Sequence, residues 1–202
     1  MKVTETRIDG DFRSEDCKKL LSESDIVVTN PPWSLFRVFF NLLLSSEKDF
    51  LIMGNRAAVS NKDIFTAIKD GKVRSGYKRW DRSGGCWFRV PETYQSTCVK
   101  YEDGIKFAQV GYLWYTTLPV NKYQNELKLT ELYSPDRYPE FDNYDIISVD
   151  YVKEIPINYK GVMGVPISIL SYNIQDRFEI IDTLDPILNG VHKYARIAIK
   201  AR

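Results

Sequence analysis

The chain has 202 residues, of which 44% are hydrophobic and 27% charged, and its formal net charge is +1 at pH 7. This composition is typical of a globular domain that buries a sizeable core, and the balanced charge neither requires nor excludes a nucleic-acid partner. The sequence lacks an apolar run of membrane-spanning length and a signal-peptide pattern, so we expect no membrane contact and a cytoplasmic location. Cys17, Cys86 and Cys98 are too few and too irregularly spaced for a disulfide framework or a zinc site, so we predict no metal.

The N-terminal part of the chain alternates predicted strands with predicted helices. Lys2–Ile8 alternates polar and apolar residues, which predicts a short edge strand. Ser14 caps a predicted helix that includes Cys17–Leu21. The apolar, β-branched run Asp25–Thr29 predicts a buried strand.

The same alternation continues to Gly71. Leu35–Ser45 keeps helical spacing, Asp49–Met53 predicts a second buried strand that stops at Gly54-Asn55, and Asn61–Lys69 predicts a helix closed by Gly71. The predicted inward faces are Leu35, Val38, Phe39, Leu42 and Leu43 in the first of these helices and Ile64, Phe65 and Ile68 in the second. This order of elements is typical of a doubly wound α/β sheet.

Beyond Lys72 the sequence becomes richer in glycine, tryptophan and tyrosine. Gly85–Val90 and Phe107–Thr117 predict antiparallel strands joined by turns, in the form of a hairpin that closes the sheet. Asp145–Val149 and Phe178–Asp182 predict two later strands. We therefore expect a β-rich C-terminal part.

The motif Asn30-Pro31-Pro32-Trp33 follows the predicted strand Asp25–Thr29, at the edge where open α/β sheets bind ligands. The Asn30 side chain can accept a hydrogen bond from an NH₂ group, and a carbonyl of the Pro31-Pro32 pair can accept a second. Two acceptors on one amine hold its nitrogen so that the lone pair points at an electrophile, while Trp33 offers a surface on which a base stacks. The alternative is a turn that only ends the strand.

Three segments together resemble one known family. Asp25–Arg37, with Gly10–Ser14 before it and Asp49–Asn55 after it, is similar to the EcoRI-type adenine-specific DNA methyltransferases, which carry an (Asn/Asp/Ser)-Pro-Pro-aromatic motif. The resemblance implies an α/β fold with a partial Rossmann-like, S-adenosylmethionine-dependent methyltransferase sheet and a β-rich C-terminal part. It implies that residues 1–118 form the catalytic part of the methyltransferase domain. Residues 119–202 are then a C-terminal extension of that domain, with target recognition as a candidate role.

The resemblance also implies a reaction and its participants. The methyl group of S-adenosylmethionine would pass to the exocyclic amine of an adenine flipped out of double-stranded DNA, as in a restriction-modification system. Asn30 and the Pro31 carbonyl would orient the amine, and Trp33 would hold the ring. Asp11 would accept from the adenine amine of the cofactor, with Phe12 against its ring; the alternative is a turn acid with Phe12 in the core.

One feature of the family is missing from the sequence. Gly10 is the only glycine before Asn30, so the glycine-rich turn that holds the methionine part of the cofactor is not found there. We therefore expect the first βαβ unit of the fold to be absent. Either a missing N-terminal segment of a longer enzyme or a separate chain would complete the cofactor site.

Residues 72–82 carry five basic side chains against one acid, interleaved with Tyr77 and Trp80. Such a loop can neutralise DNA phosphates and offer stacking surfaces, although a solvated surface loop is the alternative. The candidate DNA-binding residues are Arg74, Lys78, Arg79, Trp80 and Arg82. The pair Trp114-Tyr115 is either a source of the second base-stacking aromatic or part of a core strand.

Three other functions compete with this interpretation. The same motif occurs in amino-methyltransferases that act on RNA guanine, DNA cytosine or protein glutamine, but the following Ser34–Arg37 favours the EcoRI-type group. A non-catalytic DNA-binding or interaction fragment, having lost the cofactor half, is the second competitor. A structural fragment without a function of its own is the third.

Overall fold

The computed structural model describes residues 11–75, 86–96, 98–119, 127–172 and 174–202. The predicted strand Lys2–Ile8 lies outside these residues. Within them the chain is a mixed α/β protein whose helices are α1 (Glu15–Glu23), α2 (Phe36–Ser45) and α3 (Lys62–Lys69). The strands are, in chain order, β1 (Ile26–Thr29), β2 (Asp49–Asn55), β3 (Arg74–Ser75), β4 (Cys86–Arg89), β5 (Val99–Glu102), β6 (Ile105–Val110), β7 (Tyr112–Thr116), β8 (Ile147–Ser148), β9 (Val162–Pro166), β10 (Phe178–Leu184), β11 (Ile187–Leu188), β12 (Val191–His192) and β13 (Arg196–Ala201).

The main sheet has the strand order β1-β2-β7-β3. β1 and β2 are parallel, with Thr29 opposite Ile52, whereas β7 is antiparallel to both β2 and β3. The carboxyl ends of β1, β2 and β3 therefore lie at one edge of this sheet. The strand–helix–strand–helix order predicted for this region is confirmed.

The burial predicted for the first strand is wrong. β1 is the outer strand of the main sheet, and Ile26 and Val28 are 47% and 65% exposed. An apolar, β-branched run predicts a strand because these residues suit an extended backbone, but burial also needs a neighbour on the outer side. Within the described residues no strand pairs with that side of β1.

The start of α1 and the whole of α3 follow the sequence prediction. The Ser14 side chain accepts a hydrogen bond from the Cys17 amide and so caps α1. In α3 the predicted residues Ile64, Phe65 and Ile68 are buried. Gly71 follows α3 with φ of 72°, a left-handed conformation that glycine adopts at low cost.

The inward face of α2 differs from the predicted one. Its buried residues are Phe36, Phe39, Phe40 and Leu43. Val38 is 54% exposed, and Leu42 is only partly buried. Apolar residues occupy most of this helix, so helical spacing allows two neighbouring stripes. Contacts of Phe40 with Phe50 and Tyr115 select the one that faces the sheet.

β4, β5 and β6 form a separate three-stranded antiparallel sheet, which we call the arm. This corrects the prediction of a hairpin that closes the main sheet. The run Phe107–Thr117 is divided at Gly111, because β6 pairs within the arm while β7 pairs with β2 and β3.

The C-terminal part forms a sheet of order β10-β13-β9-β8 and the hairpin β11-β12. The predicted strand Phe178–Asp182 is confirmed as β10, and Asp145–Val149 contains only the two-residue β8. One hydrophobic cluster includes residues of both the main and the C-terminal sheets, among them Phe50, Ile180 and Ile197. The division at residue 118 stays a prediction.

The described residues contain neither a membrane-spanning helix nor a cluster of metal-binding side chains. None of the helices in these ranges is long and apolar enough to cross a membrane. In the same ranges no group of three or more His, Cys, Asp or Glu side chains is placed to hold a metal ion.

Candidate functional site

The Asn-Pro-Pro-Trp motif connects β1 directly to α2. Asn30 is exposed immediately after the strand, Pro31 is buried, and Trp33 opens a short 3₁₀ turn that ends at Leu35. The Leu35 amide donates to the Pro32 carbonyl at 3.0 Å, which closes the turn. The motif is thus held by the strand on one side and by the helix on the other.

The motif has two hydrogen-bond acceptors at the edge of the sheet. Among the described residues, nothing donates a hydrogen bond to the Asn30 side chain or to the Pro31 carbonyl. The Pro32 carbonyl is already engaged in the turn. The two remaining acceptors are the pair that binding of an amine requires.

Phe36, three residues after Trp33, fixes the position of this turn. Its ring packs over Gly54 so closely that a Cβ atom at residue 54 would lie 2.3 Å from it. The ring also contacts the buried Tyr115, with centroids 5.1 Å apart. The end of the motif is therefore locked onto β2 and β7.

Asn55 lies at the same edge of the sheet as Asn30, because β1 and β2 are parallel. The Tyr115 hydroxyl donates to the Asn55 carbonyl at 2.8 Å, and burial raises the pKa of Tyr115. The Asn55 side chain accepts from the Ala57 amide at 2.8 Å and so caps the following 3₁₀ turn. Asn55 accordingly shapes this edge of the sheet.

Arg37 and Asn41 connect α2 to α3 through one carboxylate. Arg37 Nε and Asn41 Nδ2 donate to Asp63 Oδ2 at 2.8 and 2.9 Å. The hydrogen bond from Arg37 has the larger effect and that from Asn41 the smaller, and together they hold the pKa of Asp63 below its usual value. The carboxylate thus stays charged and holds the helix that follows the motif.

Phe12 reaches the same region from the other side. Its ring packs edge-on against Phe39 of α2, with centroids 5.0 Å apart. Phe12 and Thr29, the residue before Asn30, both line a mainly apolar cavity of about 410 Å³ between α1, β1 and α2. The structure therefore brings Phe12 and the end of β1 to one cavity.

Asp11 is bound by Arg13 in a contact that the sequence analysis missed. Arg13 Nε and Nη2 donate to the Asp11 carboxylate at 2.9 and 2.7 Å, and the Arg13 amide adds a third bond. The hydrogen bonds from Arg13 lower the pKa of Asp11 to about 2. The sequence contained a signal for this contact, because Asp11 and Arg13 carry opposite charges two residues apart in a predicted turn.

The candidate DNA-binding residues are only partly described. Arg74, predicted to lie in a loop, is half-buried in β3 opposite Thr116, because the segment begins by pairing with β7. The other four candidates lie outside the described residues: Lys78, Arg79, Trp80 and Arg82. Tyr115 is fully buried, as the core-strand alternative for Trp114-Tyr115 predicts, and Trp114 is half-buried.

Comparison with known proteins gives consistent matches over almost the whole chain. The family model described as "Adenine-specific methyltransferase EcoRI" matches residues 1–201. The Type II methyltransferase M.EcoRI of Escherichia coli is 39% identical over 95% of this chain and 62% of its own length. M.MgeORF184P of Mycoplasma genitalium is 35% identical over 98% of the chain and 72% of its own length, and M.MpnI of Mycoplasma pneumoniae is 35% identical over 96% and 69%.

The chain thus spans about 62% of the length of the E. coli relative. No solved structure matches it significantly. The family model, the three relatives and the Asn-Pro-Pro-Trp motif at a sheet edge agree with one another. The chain belongs to the EcoRI-type adenine-specific methyltransferase family.

Proposed function

We propose that this chain carries the target-base half of a DNA adenine N6-methyltransferase of a restriction-modification system. The observation that supports it most directly is the pair of acceptors at the end of β1, the Asn30 side chain and the Pro31 carbonyl. The names of the relatives, all Type II methyltransferases, agree with this function. The main sheet, with β1 and β2 parallel and joined by α2, is in our proposal part of a Rossmann-like sheet.

The role of the motif follows from its acceptors. The adenine is flipped out of the duplex because its amine is otherwise inaccessible. The Asn30 side chain and the Pro31 carbonyl accept the two N–H groups of that amine, which directs the nitrogen lone pair away from them and towards the methyl donor. Both oxygens also stabilise the positive charge that develops on the nitrogen. Trp33 holds the base by stacking.

The residues present fit one end of S-adenosylmethionine. The ionised Asp11 is an acceptor for an adenine amine, and Phe12 borders the cavity with an aromatic ring. S-adenosylmethionine supplies the electrophilic methyl group when it is bound. Arg13 donates two hydrogen bonds to each oxygen of the Asp11 carboxylate, so binding of the cofactor amine would displace part of this contact.

We propose that the glycine-rich part of the cofactor site packs on β1. Ile26 and Val28 of this outer strand are exposed, and the neighbouring cavity is lined mainly by apolar side chains. Either a further segment of the same polypeptide or a separate chain supplies that part. On the DNA side, the proposed contacts remain Arg74, Lys78, Arg79, Trp80 and Arg82, and residues 119–202 are proposed to assist target recognition.

One observation favours a second candidate function, a DNA-binding fragment without catalysis. Arg13 occupies the carboxylate that the cofactor would need. Titration calorimetry with S-adenosylmethionine separates the two candidates. Two proteins are compared: the 202-residue chain, and a longer protein that also includes any residues encoded upstream in the same reading frame. Binding by either protein favours the enzyme, and no binding by both favours the fragment.

The product of the reaction tests the proposed function. The 202-residue chain and the longer protein are each incubated with S-adenosylmethionine and unmethylated duplex DNA. The nucleosides of the DNA are then analysed by mass spectrometry. We expect N6-methyldeoxyadenosine from the protein that contains the complete cofactor site. N4-methyldeoxycytidine, or methylation only of RNA or protein glutamine, would contradict the proposed substrate. Absence of any methylated product would contradict the proposed activity.

A further inference from the structure

The arm joins the main sheet at the edge where Asn30 lies. β3 runs parallel to β2 and ends at this edge, and β7 begins there with Tyr112 opposite Asn55. The Arg56 amide, directly after β2, donates to the Gly111 carbonyl at 3.1 Å. The connection between the arm and the main sheet at Gly111 therefore lies at the same edge as the candidate functional site.

One face of the arm is covered by the segment that joins β4 to β5. Lys106 Nζ donates to the carbonyls of Glu92 and Tyr94 at 2.7 and 3.1 Å, and the Tyr101 hydroxyl donates to the Glu92 carboxylate at 3.0 Å. Ala108, on the same face, is fully buried. Val99 and Tyr101 on this face are 39% and 57% exposed, so the segment covers the face only in part.

The opposite face carries aromatic and basic side chains together. Strand register places Arg89 and Lys100 on either side of Phe107, with Trp87 one row away. Trp87 is 38% exposed and Arg89 is exposed. Lys100 Nζ lies 4.9 Å from the centre of the Trp87 ring and 5.7 Å from that of Phe107. We call these four residues, Trp87, Arg89, Lys100 and Phe107, the open face.

The charge of the open face is positive. Glu102 is the acid on this side of the arm, and it pairs with Lys100 at 2.6 Å. No ion pair involves Arg89 within the described part of the chain. The guanidinium of Arg89 thus remains available to an anion, beside aromatic rings on which sugars and bases pack.

We infer that the open face of the arm binds the DNA duplex beside the flipped base. The inference rests on the proposed function. A base that reaches Asn30 must come from a duplex lying across this edge of the sheet, so an arm that leaves the same edge lies beside the flanking base pairs. Arg89 and Lys100 then contact phosphates, and Trp87 and Phe107 pack against the strand. These contacts position the duplex and are separate from the acceptors at Asn30.

The test compares two double variants that lose the same charge. Arg89→Gln with Lys100→Gln alters the open face, and Lys19→Gln with Lys69→Gln removes two exposed lysines that lie outside both the arm and the proposed DNA-binding segments. Fluorescence anisotropy with duplex DNA gives the affinity of each protein between about 50 and 200 mM salt. We expect the slope of log affinity against log salt to fall by roughly 0.9 per lost phosphate contact in the first variant only.

Trp87→Ala provides a second, uncharged test, with Tyr94→Ala as its control, because Tyr94 is similarly exposed but lies in the segment on the opposite side of the arm. We expect Trp87→Ala to weaken binding at least about fivefold, the lower limit for a lost stacking contact, without changing the salt slope. Circular dichroism and thermal denaturation identify any variant that fails to fold. If the open-face double variant fails, Arg89→Gln alone replaces it, because the Arg89 side chain is exposed.

Several outcomes would overturn the inference. Equal salt slopes in the two double variants would assign DNA contact to another surface, and so would unchanged affinity in Trp87→Ala. Failure of the parent protein to bind duplex DNA at about 50 mM salt would also reject it. If the open-face substitutions change sedimentation but not DNA affinity, the face is a protein interface. The methylation product identified by mass spectrometry judges the proposed function independently of all these results.

Discussion

The ring of Phe36 packs directly over the backbone of Gly54, at a distance that leaves no room for a side chain at residue 54. Phe36 is the first residue of the helix after the Asn-Pro-Pro-Trp motif, and Gly54 is next to the last residue of β2. This contact connects the turn that presents Asn30 to the strand that ends beside it. The position of the acceptors is thus determined by packing as well as by the prolines.

Gly54→Ala should displace Phe36 and destabilise the protein. A Cβ atom 2.3 Å from the ring forces either the ring or the strand to move, and such overpacking typically costs about 1–3 kcal/mol. Chemical denaturation measures the change in free energy of unfolding. Gly111→Ala is the matched control, because its Cβ atom would lie 3.4 Å from Arg56 Nε and so needs only a small shift of that flexible side chain. Equal stability of the two variants would contradict the packing argument.

Arg13→Ala should raise the pKa of Asp11 from about 2 towards 3.8, because the hydrogen bonds from Arg13 are the main cause of the low value. A carboxyl group with a lowered folded-state pKa stabilises the fold above its unfolded pKa, near 3.9, and this contribution is lost as the pH falls towards 2. Carboxyl carbon NMR shifts followed between these pH values measure the titration. An Asp11 midpoint unaffected by the substitution would show that Arg13 does not hold the carboxylate in solution.

The 202-residue chain alone should bind S-adenosylmethionine weakly or not at all. Only Asp11 and Phe12 are proposed to contact the cofactor, and Arg13 already occupies the Asp11 carboxylate. Titration calorimetry tests this directly. Submicromolar binding would mean that other residues of this chain complete the cofactor site, contrary to the sequence analysis.

The basic segment 72–82 should contribute to DNA affinity without regard to sequence. Replacing Lys78, Arg79 and Arg82 with alanine should weaken binding to all duplexes alike and lower the salt slope by roughly 0.9 for each lost contact. Trp80→Ala should weaken binding with little change in slope, because stacking releases no counterions. The same salt slope in the triple variant and the parent would identify the segment as a solvated loop.

The sequence predicted those elements whose structure depends on local features. α3 is an example, because its apolar stripe and the glycine that ends it are close in the chain. The strand and turn around Asn30 were predicted for the same reason. The presence of Asp11-Phe12 near the motif came from the family resemblance, and the structure brings Phe12 to the cavity beside Thr29.

Features that depend on distant partners were not predicted. Whether β1 is buried depends on what lies beside it, which a β-branched run does not reveal. The residues on either side of Gly111 look like one strand, but pairing with distant strands divides them between the arm and the main sheet. In α2, two apolar stripes have similar hydrophobicity. The stripe that is buried is the one whose Phe36 and Phe40 rings contact Phe50 and Tyr115 of the sheet.

Methyl transfer by the Asn30→Ala variant tests the central proposal most directly. In a preparation with a complete cofactor site, loss of this acceptor should reduce the rate by about 10²–10³, with the circular dichroism spectrum unchanged. Asn61→Ala is the control, because the Asn61 side chain makes no capping bond at the start of α3, and its rate should equal that of the parent. An Asn30→Ala variant that folds normally and methylates adenine at the parent rate would contradict a catalytic role for the motif.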